Sequence, residues 1–296
     1  MKIAILGNGA IGNLLALKCH QLHQSFTLLM RKPAHFNLCA TDRHGLEHNI
    51  PIKVAGILQA QQFDLLILPV KAYQVLPALQ QMANSLTGKQ TLVLLHNGMG
   101  LLEKAQGLLP HIPLIAATTS HAAYKPAVNQ LHETGIGTTH CGFVTSPEGN
   151  AQQAIVTLLD ELLAPCTWHP NINAPLWQKL AINAVINPLT ALQQIKNGQL
   201  ARPEYSSVIT DICFETASVM QACGYPTTAT ALVKAVNQVI QSSADNYSSM
   251  FQDILYQRKT EIDFINGYIV AQGQKLGIDT PINLQLTNDI HYRETL

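Results

Sequence analysis

The sequence has few charged residues and no excess of either sign. Of its 296 residues, 18 are Lys or Arg and 18 are Asp or Glu, so the formal net charge is zero. Charged residues make up 12% of the chain, about half of the usual quarter. Because no surplus of positive charge is available to bind a phosphate backbone, we expect no nucleic-acid partner.

The sequence also lacks long apolar runs. Stretches such as residues 65–70 and 92–95 fall far short of the roughly 18 to 20 residues that a membrane span needs. Residues 1–6 begin like a secretory signal, but Gly7, Gly9 and Gly12 interrupt it, which favours a first β-strand. We therefore expect no membrane association and no secretion.

Cysteine and histidine form no pattern typical of a metal or disulfide scaffold. The six cysteines include no C-x-x-C pair, and a chain of this length does not need disulfides, so reduced thiols and a cytoplasmic location are expected. The histidine pairs at 20/23 and 44/48 have no convergent Cys or carboxylate set. We predict no metal site.

The order of predicted elements indicates two domains. Short β-type runs at 2–6, 25–30, 64–70, 91–96, 114–118 and 136–143 alternate with helical stretches at 10–23 and 150–163, the pattern of a parallel sheet covered by helices. Prolines then punctuate the chain near residue 170, and four helical stretches follow at 176–195, 205–223, 228–243 and 249–276. The prediction is an α/β fold with an N-terminal Rossmann-type domain over 1–170 and an all-α domain over 171–296.

A glycine-rich turn directly follows the first predicted strand and opens the first helix. Its sequence fits G-x-G-x-x-G and consists of Gly7, Asn8, Gly9, Ala10, Ile11 and Gly12. Glycines there permit a tight turn and close approach to a pyrophosphate, which rests on the helix N-terminus. The turn predicts dinucleotide binding, with a chance glycine turn as the alternative.

The end of the second predicted strand distinguishes the two nicotinamide dinucleotides. An NAD site is expected to have Asp or Glu there, whereas this chain has Arg31 and Lys32, with no acid before Asp42. A guanidinium at Arg31 would pair with the 2′-phosphate of NADP(H), which is the cofactor we predict. The alternative is that both side chains are solvated loop cations.

A narrow polar stripe crosses an otherwise apolar helix in the second half. Lys179, Asn183 and Asn187 recur every four residues among Leu, Ala, Ile and Val, so they share one helix face. Burial would lower the pKa of Lys179 towards neutrality, as a general acid requires. The alternative is a snorkelling lysine beside two surface amides.

A partner carboxylate is sought on the last predicted helix. If residues 250–276 were helical, Glu261 would share the apolar face with Met250 and Ile265, whereas Asp263 would lie opposite. Buried acids are rare unless paired, which makes Glu261 a candidate partner of Lys179. A salt bridge that serves only helix packing is the alternative.

Seven segments together carry a resemblance to a known family. They are residues 7–12, 70–73, 96–100, 177–183 with 186–190, 197–198, 246–250 and 260–267. Through these segments the chain resembles the ketopantoate reductase (2-dehydropantoate 2-reductase) family, and the resemblance covers nearly its whole length. The resemblance implies NADPH-dependent reduction of 2-dehydropantoate to (R)-pantoate in pantothenate biosynthesis.

The resemblance also implies roles for individual residues. Lys179 matches the general acid, and Glu261 matches the carboxylate that orients the substrate and the lysine. Lys71 and Asn97 are expected beside the cofactor, and Ser249 is expected to bind the substrate carboxylate. Matching positions line the substrate pocket at Asn97, Asn183, Asn187, Asn197, Asn246 and Ser249.

Other functions remain as alternatives. A redox-sensing regulator on the same plan would need no polar stripe at Lys179, Asn183 and Asn187, so the stripe favours an enzyme. Within the enzymes, the runner-up is an NADP-dependent reductase of another 2-oxo or 3-hydroxy acid. The expected partner is a small 2-oxo acid, and the oligomeric state stays open between monomer and homodimer.

Overall fold

The computed structural model describes residues 1–146 and 151–296, which form two compact units. One unit comprises Met1–His96 and Leu101–Ile172, and the other comprises Asn97–Gly100 and Asn173–Leu296. Residues 97–100 therefore group with the C-terminal part of the chain. Asn150, the predicted start of a helix, lies outside the described residues.

The first unit contains strands and helices in alternation. In chain order they are β1 (Ile3–Leu6), α1 (Ala10–Gln21), β2 (Phe26–Met30), β3 (Phe36–Thr41), β4 (Glu47–Ile52), β5 (Val54–Gly56), β6 (Leu65–Leu68), α2 (Ala72–Met82), β7 (Thr91–Leu95), α3 (Leu102–Leu108), β8 (Leu114–Thr119), β9 (Ala122–Tyr124), β10 (Gln130–Gly135), β11 (Thr139–Thr145), α4 (Ala151–Leu162) and β12 (Cys166–Trp168).

The larger sheet has the strand order β12-β11-β8-β7-β6-β1-β2-β5. All neighbouring pairs are parallel except β11 with β8, and Ile3 of β1 pairs with Phe26 on one side and Leu65 on the other. Strands β1, β6 and β7 are buried throughout, as expected of a parallel sheet with both faces covered. The predicted Rossmann-type parallel sheet is confirmed.

A second sheet of four strands, in the order β4-β3-β10-β9, was not predicted. Its strand β4 contains His48, Asn49 and Pro51, and only alternate residues of β3 are buried. Such strands give a weak hydrophobic signal. Glu133 of β10 is 5% exposed and pairs with Lys18 of α1, Nζ to Oε1 2.6 Å.

The second unit is helical. Its helices are α5 (Asn173–Gln193), α6 (Ser206–Ala222), α7 (Ala229–Ser242), α8 (Ser249–Leu255), α9 (Asn266–Leu276) and α10 (Pro281–Glu294). The predicted helices at 176–195, 205–223 and 228–243 are confirmed. Helix α10 was missed, although Pro281 at its first position is a typical start signal.

The prediction of one helix over residues 249–276 is wrong. Helix α8 ends at Leu255, and Gln257 then takes a left-handed conformation (φ 51°) that no helix continues through. A short 3-10 turn, Ile262–Phe264, precedes α9. Glu261 therefore lies in an irregular segment and not on a helix face.

Within the described ranges, no helix is both long and apolar enough to cross a membrane. All six cysteines are free, and three of them, Cys19, Cys141 and Cys213, are buried.

Candidate active site

The glycine-rich turn has the backbone geometry that its glycines predict. Gly7 follows β1 with φ +82°, a left-handed conformation that favours glycine. A Cβ on Gly12 would lie 2.8 Å from the carbonyl oxygen of Gly7. Helix α1 begins at Ala10, directly after Gly9. The turn therefore directs a helix N-terminus, with its free N–H groups, at the space where an anion would bind.

Lys125 contacts this turn from a distant part of the chain. Its Nζ donates to the carbonyl oxygen of Asn8 at 2.8 Å, and the two residues are 117 positions apart. The contact brings a positive charge to the glycine-rich turn. Sequence analysis missed Lys125 because no local pattern links positions so far apart.

Arg31 and Lys71 follow the two strands that flank β1. The order β6-β1-β2 places the carboxyl ends of these parallel strands side by side, at the sheet edge where ligands of open α/β folds bind. Arg31 directly follows β2 and is exposed. Lys71 precedes α2, and its backbone N–H donates to Oε1 of Gln74 at 3.3 Å.

Lys179 lies on α5 in the second unit with Asn183 and Asn187 on the following turns. Burial lowers the pKa of Lys179 from 10.5 to about 8, and the negative charge of Glu261 acts in the opposite direction. Asn187 is 5% exposed. Because desolvation is the larger effect, the lysine can release its proton near neutral pH.

Glu261 is 3% exposed and lies beside the segment 97–100. Its Oε2 accepts a hydrogen bond of 3.1 Å from Nδ2 of Asn97. Two residues after Asn97, the backbone N–H of Met99 donates to the carbonyl oxygen of Phe264 at 2.8 Å. Gly98 has φ +81°, and a Cβ there would collide with that same carbonyl. The segment and the Glu261 turn are thus fitted closely together.

The remaining predicted residues form a second group in the same unit. Asn197 is buried, its Nδ2 donates to Oγ of Ser243 at 3.0 Å, and its backbone N–H donates to the carbonyl of Asn246 at 2.9 Å. The side chains of Asn246 and Ser249 are exposed. Ser248, next to Ser249, accepts a hydrogen bond at its Oγ from Oγ1 of Thr190 of α5 at 2.7 Å.

Comparison with known families covers almost the whole chain. The model described as "Ketopantoate reductase PanE/ApbA" matches residues 3–146, and the model for its C-terminal part matches residues 171–294. The chain belongs to the ketopantoate reductase family. Among relatives of this family, 2-dehydropantoate 2-reductase of Vibrio cholerae is 41% identical over 290 residues, covering 98% of this chain and 97% of the relative. The Escherichia coli O157:H7 protein of the same name is 37% identical, with 100% and 96% covered.

Solved structures show the same fold as this ketopantoate reductase family chain. A PanE/ApbA family ketopantoate reductase from Ralstonia eutropha has a TM-score of 0.88 at 23% identity and covers 100% of this chain and 99% of its own. D-mandelate dehydrogenase in complex with NADH has a TM-score of 0.85 at 25% identity, with the same coverage.

The structure tests two predictions about this ketopantoate reductase family chain, the burial of Glu261 and the exposure of Asp263. Glu261 is buried, as predicted, although it lies in a turn and not on the predicted helix. The side chain of Asp263 is 42% exposed, also as predicted. The part of the chain that the structure describes contains no group of three or more His, Cys, Asp or Glu residues arranged to hold a metal ion.

Proposed function

We propose that this protein reduces 2-dehydropantoate to (R)-pantoate with NADPH, as a step of pantothenate biosynthesis. Membership of the ketopantoate reductase family supports the activity, and relatives up to 41% identical carry the name 2-dehydropantoate 2-reductase. The observation that carries the proposal is Lys179, whose pKa is lowered to about 8 by burial, against the opposing effect of the negative charge of the buried Glu261.

In this proposal, residues 1–170 bind the cofactor and residues 171–296 bind the substrate. Two glycines make the turn suitable for a pyrophosphate. Gly7 takes a left-handed backbone conformation, and Gly12 leaves no room for a Cβ, so the turn is tight and the backbone can approach the ligand closely. Its members Gly7, Asn8, Gly9, Ala10, Ile11 and Gly12 form the proposed cradle, and the family resemblance assigns Lys71 and Asn97 to cofactor binding. When bound, the reduced nicotinamide supplies the hydride.

Arg31 is the basis for NADPH over NADH. It directly follows β2, where an NAD site would have an acid, and its exposed guanidinium is free to reach a 2′-phosphate. The fold itself does not decide the preference, since D-mandelate dehydrogenase, with a TM-score of 0.85, is described with NADH.

Lys179 protonates the oxygen on C2 of the oxo acid as negative charge develops there. A preorganised ammonium stabilises this charge and then gives up its proton, which a pKa near 8 permits at neutral pH. Glu261 orients the lysine and the substrate. Neutral amide and hydroxyl donors bind the substrate carboxylate and hydroxyl, namely Asn97, Asn183, Asn187, Asn197, Asn246 and Ser249.

A direct spectrophotometric assay with substrate and cofactor tests the proposal. Purified protein is mixed with NADPH or NADH, with and without 2-dehydropantoate, and the loss of reduced nicotinamide absorbance is followed. Rapid loss only with NADPH and 2-dehydropantoate together is expected. Slow turnover with 2-dehydropantoate but rapid turnover with another 2-oxo acid, or with the oxo form of a 3-hydroxy acid, would contradict the proposed substrate. It would favour the runner-up.

A further inference from the structure

Helix α5 contains a proline in its interior. A backbone N–H normally donates to the carbonyl four residues earlier, but Pro188 has no N–H. The carbonyl of Ala184 therefore has no helical donor, although α5 continues to Gln193. Ala184 is fully buried, with 0% exposure, so water cannot readily replace the missing donor.

Asn266 supplies that donor from another helix. Its Nδ2 donates to the carbonyl of Ala184 at 2.9 Å and to Oδ1 of Asn283 at 3.0 Å. Both N–H groups of the amide are thus used, and the side chain is fully buried. A buried amide with two acceptors has one defined orientation.

The other end of this network is also fixed. Oε2 of Glu215, on α6, accepts from Nδ2 of Asn283 at 2.7 Å, and Oε1 accepts from the backbone of Ile282 at 2.8 Å. The carboxylate thereby binds the first turn of α10, where negative charge is favourable. Asn266 is held between this anchor and α5.

Asn266 joins the two segments that carry the proposed catalytic residues Lys179 and Glu261. It begins α9 and comes five residues after Glu261, while Ala184 comes five residues after Lys179 on α5. The hydrogen bond therefore ties the turn that carries the carboxylate to the helix that carries the lysine. The negative charge of Glu261 raises the pKa of that lysine.

We propose that Asn266 is a positioning residue, which uses the carbonyl freed by Pro188 to hold the Glu261 turn in register with Lys179. The proposal rests on the proposed function of these two side chains. It explains why a helix-disrupting residue and a buried amide occur together: the proline opens an acceptor, and the asparagine uses it to join two segments.

Three variants separate positioning from folding: Asn266→Ala, Pro188→Ala and the double variant. Asn266→Ala is expected to lower kcat for 2-dehydropantoate by about 10- to 100-fold, because small displacements of catalytic groups cost this much, and to lower Tm. Pro188→Ala adds a backbone donor to the Ala184 carbonyl, but this oxygen has two lone pairs and can still accept from Asn266, so kcat should stay within about threefold of wild type. The double variant restores a helical N–H to Ala184, so Tm should rise again while kcat stays low.

NMR titration of the Lys179 side chain gives a readout that needs no substrate. Its signal is identified by its loss in Lys179→Arg. Because the charge of Glu261 raises the lysine pKa, a displaced Glu261 should lower it below the wild-type value in both Asn266→Ala and the double variant.

The outcomes distinguish this inference from the proposed function. Recovery of kcat together with Tm in the double variant, an unchanged Lys179 pKa, or failure of both Asn266 variants to fold would overturn the positioning role. A wild-type protein that does not reduce 2-dehydropantoate would overturn the proposed function, and the Lys179 titration would still decide the inference.

Discussion

Nδ2 of Asn97 donates to Oε2 of Glu261 at 3.1 Å, although the two residues are 164 positions apart. The carboxylate is 3% exposed, and a hydrogen bond to an ionised acceptor is stronger than one between neutral groups. The bond therefore restricts which way a buried carboxylate points. Asn97 belongs to the segment 97–100, which groups with the helical unit and not with the strands that precede it.

Removing this donor tests whether the orientation of Glu261 matters. Asn97→Ala is expected to lower kcat/KM for 2-dehydropantoate by about 10- to 100-fold, since hydrogen bonds to charged groups contribute about 1.5–3 kcal/mol. Steady-state kinetics provide the measurement. Asn84→Ala, at an exposed asparagine, is the control and should be neutral. Wild-type kinetics in Asn97→Ala would show that Glu261 is oriented by other contacts.

Lys179 gives a prediction about pH. Its pKa is lowered from 10.5 to about 8 by burial, so the proton needed for general-acid catalysis is present below about pH 8 and is lost above it. We expect kcat to fall with one basic limb near that pH. Lys179→Ala should lose about 10²- to 10⁴-fold in kcat.

Lys179→Arg is the matched variant for this prediction. It keeps the positive charge but stays protonated throughout the accessible pH range. Its residual kcat should therefore show no basic limb. A basic limb that persists unchanged in the arginine variant would assign the titration to another group.

Arg31 and Lys125 should affect cofactor binding in different ways. Arg31→Ala removes the proposed partner of the 2′-phosphate, so Kd for NADPH should rise about 10- to 100-fold while Kd for NADH changes little. Lys125 contacts Asn8 in the glycine-rich turn, whose proposed ligand, the pyrophosphate, is common to both cofactors. Lys125→Ala should therefore raise Kd for NADPH and Kd for NADH by the same factor. Calorimetric titration of both cofactors checks this contrast, and equal losses in Arg31→Ala would contradict the NADPH assignment.

The predictable part of the structure consists of local patterns. The G-x-G-x-x-G turn is specified by neighbours in sequence, and its strand, glycines and helix all occur where expected. The stripe of Lys179, Asn183 and Asn187 is likewise local, because four residues make about one turn of a helix. These patterns were sufficient to predict the Rossmann-type domain and the helical half.

The unpredicted part depends on contacts between distant residues. A helical wheel predicted a buried Glu261, but the helix ends near Gln257, whose φ of 51° no propensity indicated. Lys125 and Asn266 likewise take part through partners 117 and 82 positions away. Hydrophobic periodicity carries no information about such pairs. The roles of the site residues stay predictions until they are measured.

Gly12 offers a test of the cofactor turn in which the usual effect of the substitution is reversed. Gly→Ala inside a helix normally stabilises a protein by about 1 kcal/mol. Here the added Cβ would lie 2.8 Å from the carbonyl oxygen of Gly7 and 3.5 Å from the ring of Pro69. Because both the turn and α1 would have to shift, Gly12→Ala should weaken NADPH and NADH alike, by at least about tenfold.

Gly107→Ala is the matched control for this substitution. Gly107 lies in α3, and a Cβ there meets nothing within 4 Å, so the substitution should keep cofactor affinity and raise Tm slightly. Fluorescence titration of reduced cofactor and thermal unfolding measure the two effects separately. If Gly12→Ala lowers Tm but leaves both cofactor affinities intact, the close approach of α1 to Gly7 serves helix packing and does not shape the binding turn.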